Sequence, residues 1–490
     1  MGDEGKLNVV IVGGGTAGWM AAAALVKLLP TRSSVTLVES EAIGIVGVGE
    51  ATLPHIRGFN EWLGINEAKF MAATRATFKL GIEFRDWARK GDSYIHPFGA
   101  FGRGQGEVDF HHYWSRLNEA GAPVSPIGEY SMAVTMAYAN RFALPDPDPT
   151  KIESTFNYAY QFDATLFAPF LRGVAEGLGA KRIEGRIIDV ELDGESGNVA
   201  AIRLENGERV DGDLFIDCSG FVSLIIGRAL NEPFEDWSKW LPCDRAVAMP
   251  CQTETALTPY TSASAMDAGW RWRIPLQHRV GNGYVFSSRF QSPEAARETL
   301  LSAIGEPLAE PRLIRFTPGR RKRAWIGNVV AIGLSSGFLE PLESTSLHLI
   351  QTGIGKLLSL FPRATCDPLL AEQYDRIFER EMEDVRDFLV LHYHHTEGRM
   401  EPMWRHCQAT ALPETLAYKL AQFRGSGRIM LSSEDLFRDA SWFAVMTGQG
   451  VRAQGFNPML DAMSDTDNLR QLEAVRAAIN QSVGLIPRLA

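Results

Sequence analysis

The sequence predicts a mixed α/β chain: a Rossmann-like dinucleotide-binding domain with a β-meander, accompanied by a largely helical region. Three observations predict it. A mostly β-branched run, LNVVIV, stops at a glycine cluster near the N-terminus; short strands with tight turns begin near residue 183; and from about residue 367 charged and apolar residues alternate at helical spacing.

Leu7–Val12 is apolar throughout except for Asn8 and is bounded by glycine, the pattern of a parallel strand buried on both faces. Residues 19–29 are rich in alanine and leucine and are halted by Pro30, as a helix is. Residues 35–38 (VTLV) form a second buried strand that ends at Glu39, completing a βαβ unit. RIIDVEL, a turn over 193–197, VAAIRL, the Asn206-Gly207 turn and DLFIDCSG then read as a β-meander returning to the main sheet. A buried strand over 329–332 leads through a Gly/Ser turn into a helix from about Thr345. Residues 367–393 form one or two amphipathic helices with Tyr374, Phe378, Met382, Val385 and Leu389 on the apolar face. The nucleotide-binding domain is therefore discontinuous. Residues 1–100, 160–225 and 315–360 are assigned to it, and 101–159, 226–314 and 361–490 to a substrate-binding region.

A chain of 490 residues, 45% hydrophobic and 22% charged, has apolar material for a large core and the length of about two or three structural units. A formal net charge of -10 argues against nucleic acid or an anionic membrane as the main partner, since both need a basic surface. Cys218, Cys243, Cys251, Cys366 and Cys407 form no CxxC pair and no ligand-spaced cluster with histidine, so a reducing, cytoplasmic setting and no metal are expected. The adjacent His394 and His395 do not face one way on a helix. No run approaches the ~18 apolar residues of a membrane span, and the opening MGDEGKLNVV lacks the basic, apolar, small-residue order of a signal peptide.

GGGTAG sets Gly13, Gly15 and Gly18 in GxGxxG spacing, with Thr16 and Ala17 between, directly after a strand and before a helix. Glycines let the backbone approach a pyrophosphate at the helix N-terminus, and Glu39 at the end of the next strand can accept hydrogen bonds from a ribose. No second GxGxxG follows a strand, so the chain shows no separate nicotinamide domain and electrons are expected from a partner.

Several segments resemble those of flavin-dependent halogenases, the tryptophan and indole halogenase family, over roughly residues 8–450. The signature W-x-W-x-I-P is intact as Trp270, Trp272, Ile274 and Pro275. GVGEAT (Gly47 to Thr52) is similar to the family's flavin loop, and Lys79 in ATFKLGIEF to its catalytic lysine. FLEPLESTS is similar to the segment carrying the catalytic glutamate, here Glu343, and the halide site, here Thr345 and Ser346. DLFIDCSGF and GNVVAIGLSSGFLEPLEST resemble the second and third flavin-contacting segments of this class, which favours FAD over NAD.

The resemblance implies a two-dinucleotide-binding-domain flavoprotein fold. It implies FAD supplied reduced by a separate NAD(P)H-dependent flavin reductase, a halide ion, and a small aromatic substrate, with the protein as monomer or homodimer. FAD would be held by Gly13, Gly15, Thr16, Ala17, Gly18, Glu39, Gly47, Gly49, Glu50, Ala51, Leu334 and Leu347. Hypohalous acid would pass through an internal tunnel to Lys79, and Glu343 would stabilise the cationic ring and take its proton. Trp270 and Trp272 would keep substrate away from the flavin, and His96 and Phe98 in YIHPFG would line the substrate pocket.

Two departures stand out. Ser346 replaces the glycine common after E-S-T in tryptophan-specific members, which leaves chloride and bromide both open. HYHHTEGRMEPMWRH follows the family's R-x-D-x-P-F-W pattern only loosely, so indole or an indole derivative is as good a candidate as tryptophan.

Each residue also has a plainer reading. Lys79 is by itself a solvated helix lysine, Glu343 a carboxylate favoured at a helix start, Trp270 and Trp272 a same-face strand pair, and His96 and Phe98 core side chains. An aromatic monooxygenase and a non-catalytic flavin-binding protein are the alternative functions.

Overall fold

The computed structural model describes residues 5–42, 49–253, 257–363 and 367–489. The chain divides into two compact units, each drawn from three stretches. The first takes the chain to residue 76 and then 162–238 and 315–383; the second takes 77–161, 239–314 and the chain from 384.

In the first unit six strands lie in the order Trp325–Ile326, Val329–Ala331, Leu214–Asp217, Leu7–Val12, Ser33–Glu39 and Lys181–Glu184. All neighbours are parallel except the first two, an antiparallel hairpin. Val9, Val10, Ile11 and Val12 are all buried, as expected of a strand covered on both faces. The helix Thr16–Leu28 covers one face. Ala21, Ala22, Ala23 and Ala24 are almost wholly buried, so their small side chains allow close approach to the helix Ala164–Gly177 as well as the sheet. On the other face Val10, Val12, Val38 and Phe215 pack with Val199, Ile202 and Leu204 of the meander Ile187–Leu192, Val199–Leu204 and Arg209–Asp211. At roughly 1.5–3 kcal/mol for each large apolar side chain taken from water, this cluster anchors the meander to the sheet.

In the second unit the strands Arg245–Cys251, Val280–Phe286, Gly269–Pro275, Thr261–Met266, Gly81–Arg85 and Ser93–Pro97 lie side by side. Around them are helices including Phe110–Glu119, Glu414–Ser426, Asp439–Gly448 and Asp465–Leu485. The predicted amphipathic segment is one helix, Pro368–His394, and the division between units falls within it. The mixed α/β class with a helical C-terminal region is thus the observed one.

The unit boundaries differ from those drawn on the sequence. Residues 77–100 belong to the second unit because Gly81–Arg85 and Ser93–Pro97 hydrogen-bond into its sheet. Residues 226–238 belong to the first, where Phe234–Asp236 pairs with Gly319–Arg321. Among the described residues no helix is long and apolar enough to cross a membrane.

Register explains the W-x-W pair. Trp270 faces Ala265 and Val285 across its two neighbouring strands, and Trp272 faces Ala263 and Gly283, so both indoles share one face with ring centroids 6.1 Å apart. A Cβ on Gly283 would lie 2.0 Å from the Trp272 ring, so that glycine is what admits the indole. Gly283→Ala should therefore cost about 1–3 kcal/mol through overpacking. A lowered urea midpoint with a changed near-ultraviolet circular dichroism signal would register it; an unaltered midpoint would show that Trp272 relocates without cost.

Candidate active site

The glycines of the GxGxxG loop in the first unit fall into two kinds. Gly13 has φ +108°, and a Cβ there would lie 2.4 Å from the Cys218 carbonyl oxygen; a Cβ on Gly18 would lie 1.9 Å from the Gly13 oxygen. Both are fixed by close backbone packing. Gly15, by contrast, has nothing within 4 Å of where its Cβ would be. It is the N-cap of Thr16–Leu28, whose first turn has no side-chain cap and no acidic residue. Backbone amides at a helix start, facing open space at a glycine, are what a pyrophosphate requires.

Glu39 lies beside this loop, since a Cβ on Gly14 would come within 1.4 Å of its Oε2. Arg182 Nε donates to Glu39 Oε1 at 2.5 Å, and Arg172 lies 3.9 Å away. Arg182 escaped the sequence reading because parallel pairing of Ser33–Glu39 with Lys181–Glu184 brings it there from far along the chain. Gly333, with φ +80°, packs its backbone against Ala17, so the segment carrying Leu334 meets the first turn of the glycine-loop helix. Thr16 opens that helix. Asp217, at the end of the strand next to Leu7–Val12, fixes the turn that follows it: its Oδ1 accepts from the Ser219 hydroxyl at 2.6 Å, and its Oδ2 from the Ile225 and Ile226 amides, each at 2.9 Å.

Gly49, Glu50 and Ala51 form a short strand; Gly47 lies outside the described residues. Burial pushes the Glu50 carboxyl up to about 8. A carboxyl raised in the folded state is protonated there while the unfolded chain has already released its proton, so stability falls as pH rises from about 4.5 to about 8. Glu50→Gln removes that dependence, and its melting temperature should gain on the wild type steadily between about pH 5 and about pH 8. Parallel curves for the two proteins would refute the assignment.

Glu343 closes the short turn Pro341–Glu343 and is wholly buried. Ser344 takes a left-handed conformation, φ 60°, and Thr345 is the N-cap of the helix Ser346–Ser359. Thr345 is also fully buried, and its hydroxyl has no hydrogen-bond partner among the described residues. Ser346 shares a cavity of about 50 Å³ with Leu334, Gly337, Phe338 and Ile350, so the predicted halide and flavin residues converge here. Leu347 is buried next to them in sequence.

In the second unit Lys79 ends the strand Thr77–Lys79, paired with Ala159, and is 0% exposed. Its Nζ lies 5.0 Å from the Phe98 ring centroid, and Phe98 meets His96 edge-on at 6.5 Å. The reading of Lys79 as a solvated helix lysine is therefore excluded on both counts, since it is buried and ends a strand, whereas His96 also packs on Phe388 and Phe437 and is part of the aromatic core. The W-x-W-x-I-P strand reaches the lysine strand through its last residue. Thr77 Oγ1 donates to the Pro275 carbonyl at 2.8 Å; Gln161 Nε2 donates to Thr77 Oγ1 at 3.1 Å and to the Phe78 and Thr258 carbonyls at 3.2 Å. Ile274 and Trp270 are buried, and the Trp272 indole N–H has no partner among the described residues. Thr77 and Gln161 are positioning residues the sequence reading missed, since nothing local marks a buried glutamine as a staple.

The R-x-E-x-M-W segment acts as an anchor. Arg399, 1% exposed, donates to the Asp86 and Met266 carbonyls and pairs with Glu401, while Trp404 Nε1 donates to Met266 at 2.8 Å. Among the described residues one group with metal-ligand chemistry, which the sequence reading did not single out, does come together: Asp109, His111 and His112. His111 Nε2 is bonded to the Gly427 carbonyl and His112 Nδ1 accepts from the Asn457 amide, so both rings already fasten loops.

A pyrophosphate-shaped helix start at the end of a parallel strand, beside an acidic residue and backed by a β-meander, defines a dinucleotide-binding α/β protein of the flavoprotein class. Residues 8–465 match the family model described as tryptophan halogenase. The chain is 36% identical over 510 residues to tryptophan 6-halogenase SttH of Streptomyces toxytricini, covering 98% of this chain and 96% of that one. Among solved structures it resembles Xcc4156, a flavin-dependent halogenase from Xanthomonas campestris, with TM-score 0.95 and 45% identity over 99% of this chain and 97% of that one. It likewise resembles BrvH, a flavin-dependent halogenase from Brevundimonas sp. BAL3, with TM-score 0.94 and 46% identity over 99% and 98% of the two chains. The chain belongs to the tryptophan halogenase family and is a flavin-dependent halogenase, an enzyme.

Proposed function

We propose that this enzyme halogenates the indole ring of free indole, an indole derivative or tryptophan, with bromide or chloride as halogen source. FAD reduced by a separate NAD(P)H-dependent reductase supplies, when bound, the two electrons with which dioxygen and halide yield hypohalous acid and water. The glycine loop and Glu39 fit its diphosphate and ribose, and Leu334, Leu347 and the strand Gly49–Ala51 belong to the same unit. Gly47 is proposed with them from the sequence.

The observation that carries the reading is Lys79, an amine kept out of water beside an aromatic ring in a chain of this family. Lys79 holds the acid by hydrogen bond or as a haloamine and presents the halogen. As the ring forms its carbon–halogen bond the oxygen–halogen or nitrogen–halogen bond breaks, and the ring proton, taken up by Glu343, is passed on to the departing hydroxide, which leaves as water, or to the lysine nitrogen of the haloamine, whose water left when it formed. Thr345 and Ser346 hold the halide at the helix start. Trp270, Trp272, Ile274 and Pro275 wall substrate from the cofactor, and His96 and Phe98 line the substrate side.

Mass spectrometry tests the proposal: indole and tryptophan are incubated with the enzyme, FAD, a flavin reductase, NADH and either halide. Halogen isotope patterns in the product are the expected result. Oxygenated product without halogen would mean the chain works as an aromatic monooxygenase.

A further inference from the structure

Two helices begin at the same place in the first unit. His55 is the first residue of His55–Leu63 and His348 lies in the first turn of Ser346–Ser359; their ring centroids are 4.5 Å apart. Neither helix has a side-chain cap or an acidic residue in its first turn, so two partial positive charges meet there without compensation from those turns. Two donors add to them. Thr345 Oγ1 and His348 Nδ1 are buried and have no hydrogen-bond partner among the described residues, although Thr345 is 0% and His348 only 7% exposed. Buried polar atoms without partners are uncommon in folded proteins, and two of them together at a helix start provide donors for an anion. Thr345 and His348 are three residues apart at a helix start, so they lie on one face.

We propose that His348 is a halide-binding residue, donating Nδ1–H to the anion held at Thr345, with the His55 ring closing the site above it. This rests on the halide reading of Thr345 and Ser346 given above and adds a side chain to it. Burial, the neighbouring His55 and Lys356 hold the His348 imidazole well below its ordinary range, so it offers an N–H without a charge. A neutral donor suits an anion that must be consumed in each turnover, because a full positive charge in so dry a place would hold it too tightly.

The proposal is tested with His348→Leu, which deletes the donor, and His348→Asn, which keeps an N–H near the Nδ1 position. In the FAD-free protein, bromide affinity is read from bromide nuclear magnetic resonance line-broadening. In the complete assay, the halide and indole dependences of halogenation are measured separately, and FAD affinity by fluorescence. His348→Leu should weaken bromide binding and raise the bromide KM by about tenfold or more, with indole KM and FAD affinity unchanged. His348→Asn should recover most of the loss. Unchanged halide dependence in His348→Leu, failure of the Asn variant to recover it, or a loss confined to FAD affinity would each overturn the proposal. Absence of halogenated product from the wild type would instead overturn the functional reading.

Discussion

Lys79→Ala is expected to lower the rate of indole halogenation by at least about a thousandfold, roughly 4 kcal/mol of activation free energy. FAD binding should be left intact. The lysine is 0% exposed on a strand held by Thr77, Gln161 and Pro275, and its amine lies 5.0 Å from the Phe98 ring centroid. Such positioning turns encounter with a freely diffusing oxidant into a reaction within one site, an effect worth several kcal/mol. Truncation to alanine also opens a cavity at a wholly buried position, so the variant's melting temperature and FAD affinity are measured beside its rate to separate folding from chemistry. The assay is single-turnover product formation by mass spectrometry, with a soluble electrophile trap reporting any hypohalous acid released. The variant should still oxidise halide, and the trap should collect what indole no longer receives. If Lys79→Ala halogenates indole within tenfold of the wild type, the lysine is not the halogen holder. Lys79→Arg should not restore activity, since a guanidinium is bulkier and does not deprotonate to a nucleophilic amine.

The same lysine shows where sequence is informative and where it is not. Its strand could not be told from a helix by pattern, because Thr77–Lys79 has too few residues to display a period. The βαβ start was readable because LNVVIV, the glycines and Pro30 are all local constraints on backbone geometry, and each acts on its immediate neighbours. Long-range register is a different matter. Arg182 beside Glu39, Gly283 beneath Trp272 and Gln161 under Thr77 are contacts between segments whose sequences carry no record of each other. The boundary at residue 77 was missed for this reason: GIEFR reads equally well as an extension of the nucleotide-binding domain until its parallel pairing with Thr261–Met266 is seen. Within the candidate site, Thr345 and Ser346 and the glycine loop follow motif spacing, which is what the sequence displays. His55 and His348 were not singled out, because their meeting depends on how two helix starts come together.

Glu343→Gln is expected to slow halogenation by about 10² to 10⁴-fold, the usual contribution of a positioned general base. Glutamine keeps the volume and hydrogen-bonding capacity of the side chain and removes its ability to take a proton, while the wholly buried site gives water little chance to substitute. The electrophile trap should therefore collect hypohalous acid from Glu343→Gln at the wild-type rate. What changes is the fate of the ring. With no carboxylate to accept the proton, loss of the C–H bond becomes the slow step, and indole deuterated at the reacting carbon should show a primary isotope effect in the variant that the wild type lacks. A merely structural role for Glu343 would lower trap yield and halogenation together and leave the isotope effect unchanged. Glu343→Asp separates the two further, since it retains a proton acceptor but withdraws it by one methylene. It should recover part of the rate with a reduced isotope effect if proton acceptance is the function, and none of it if Glu343 only shapes the turn ahead of Thr345.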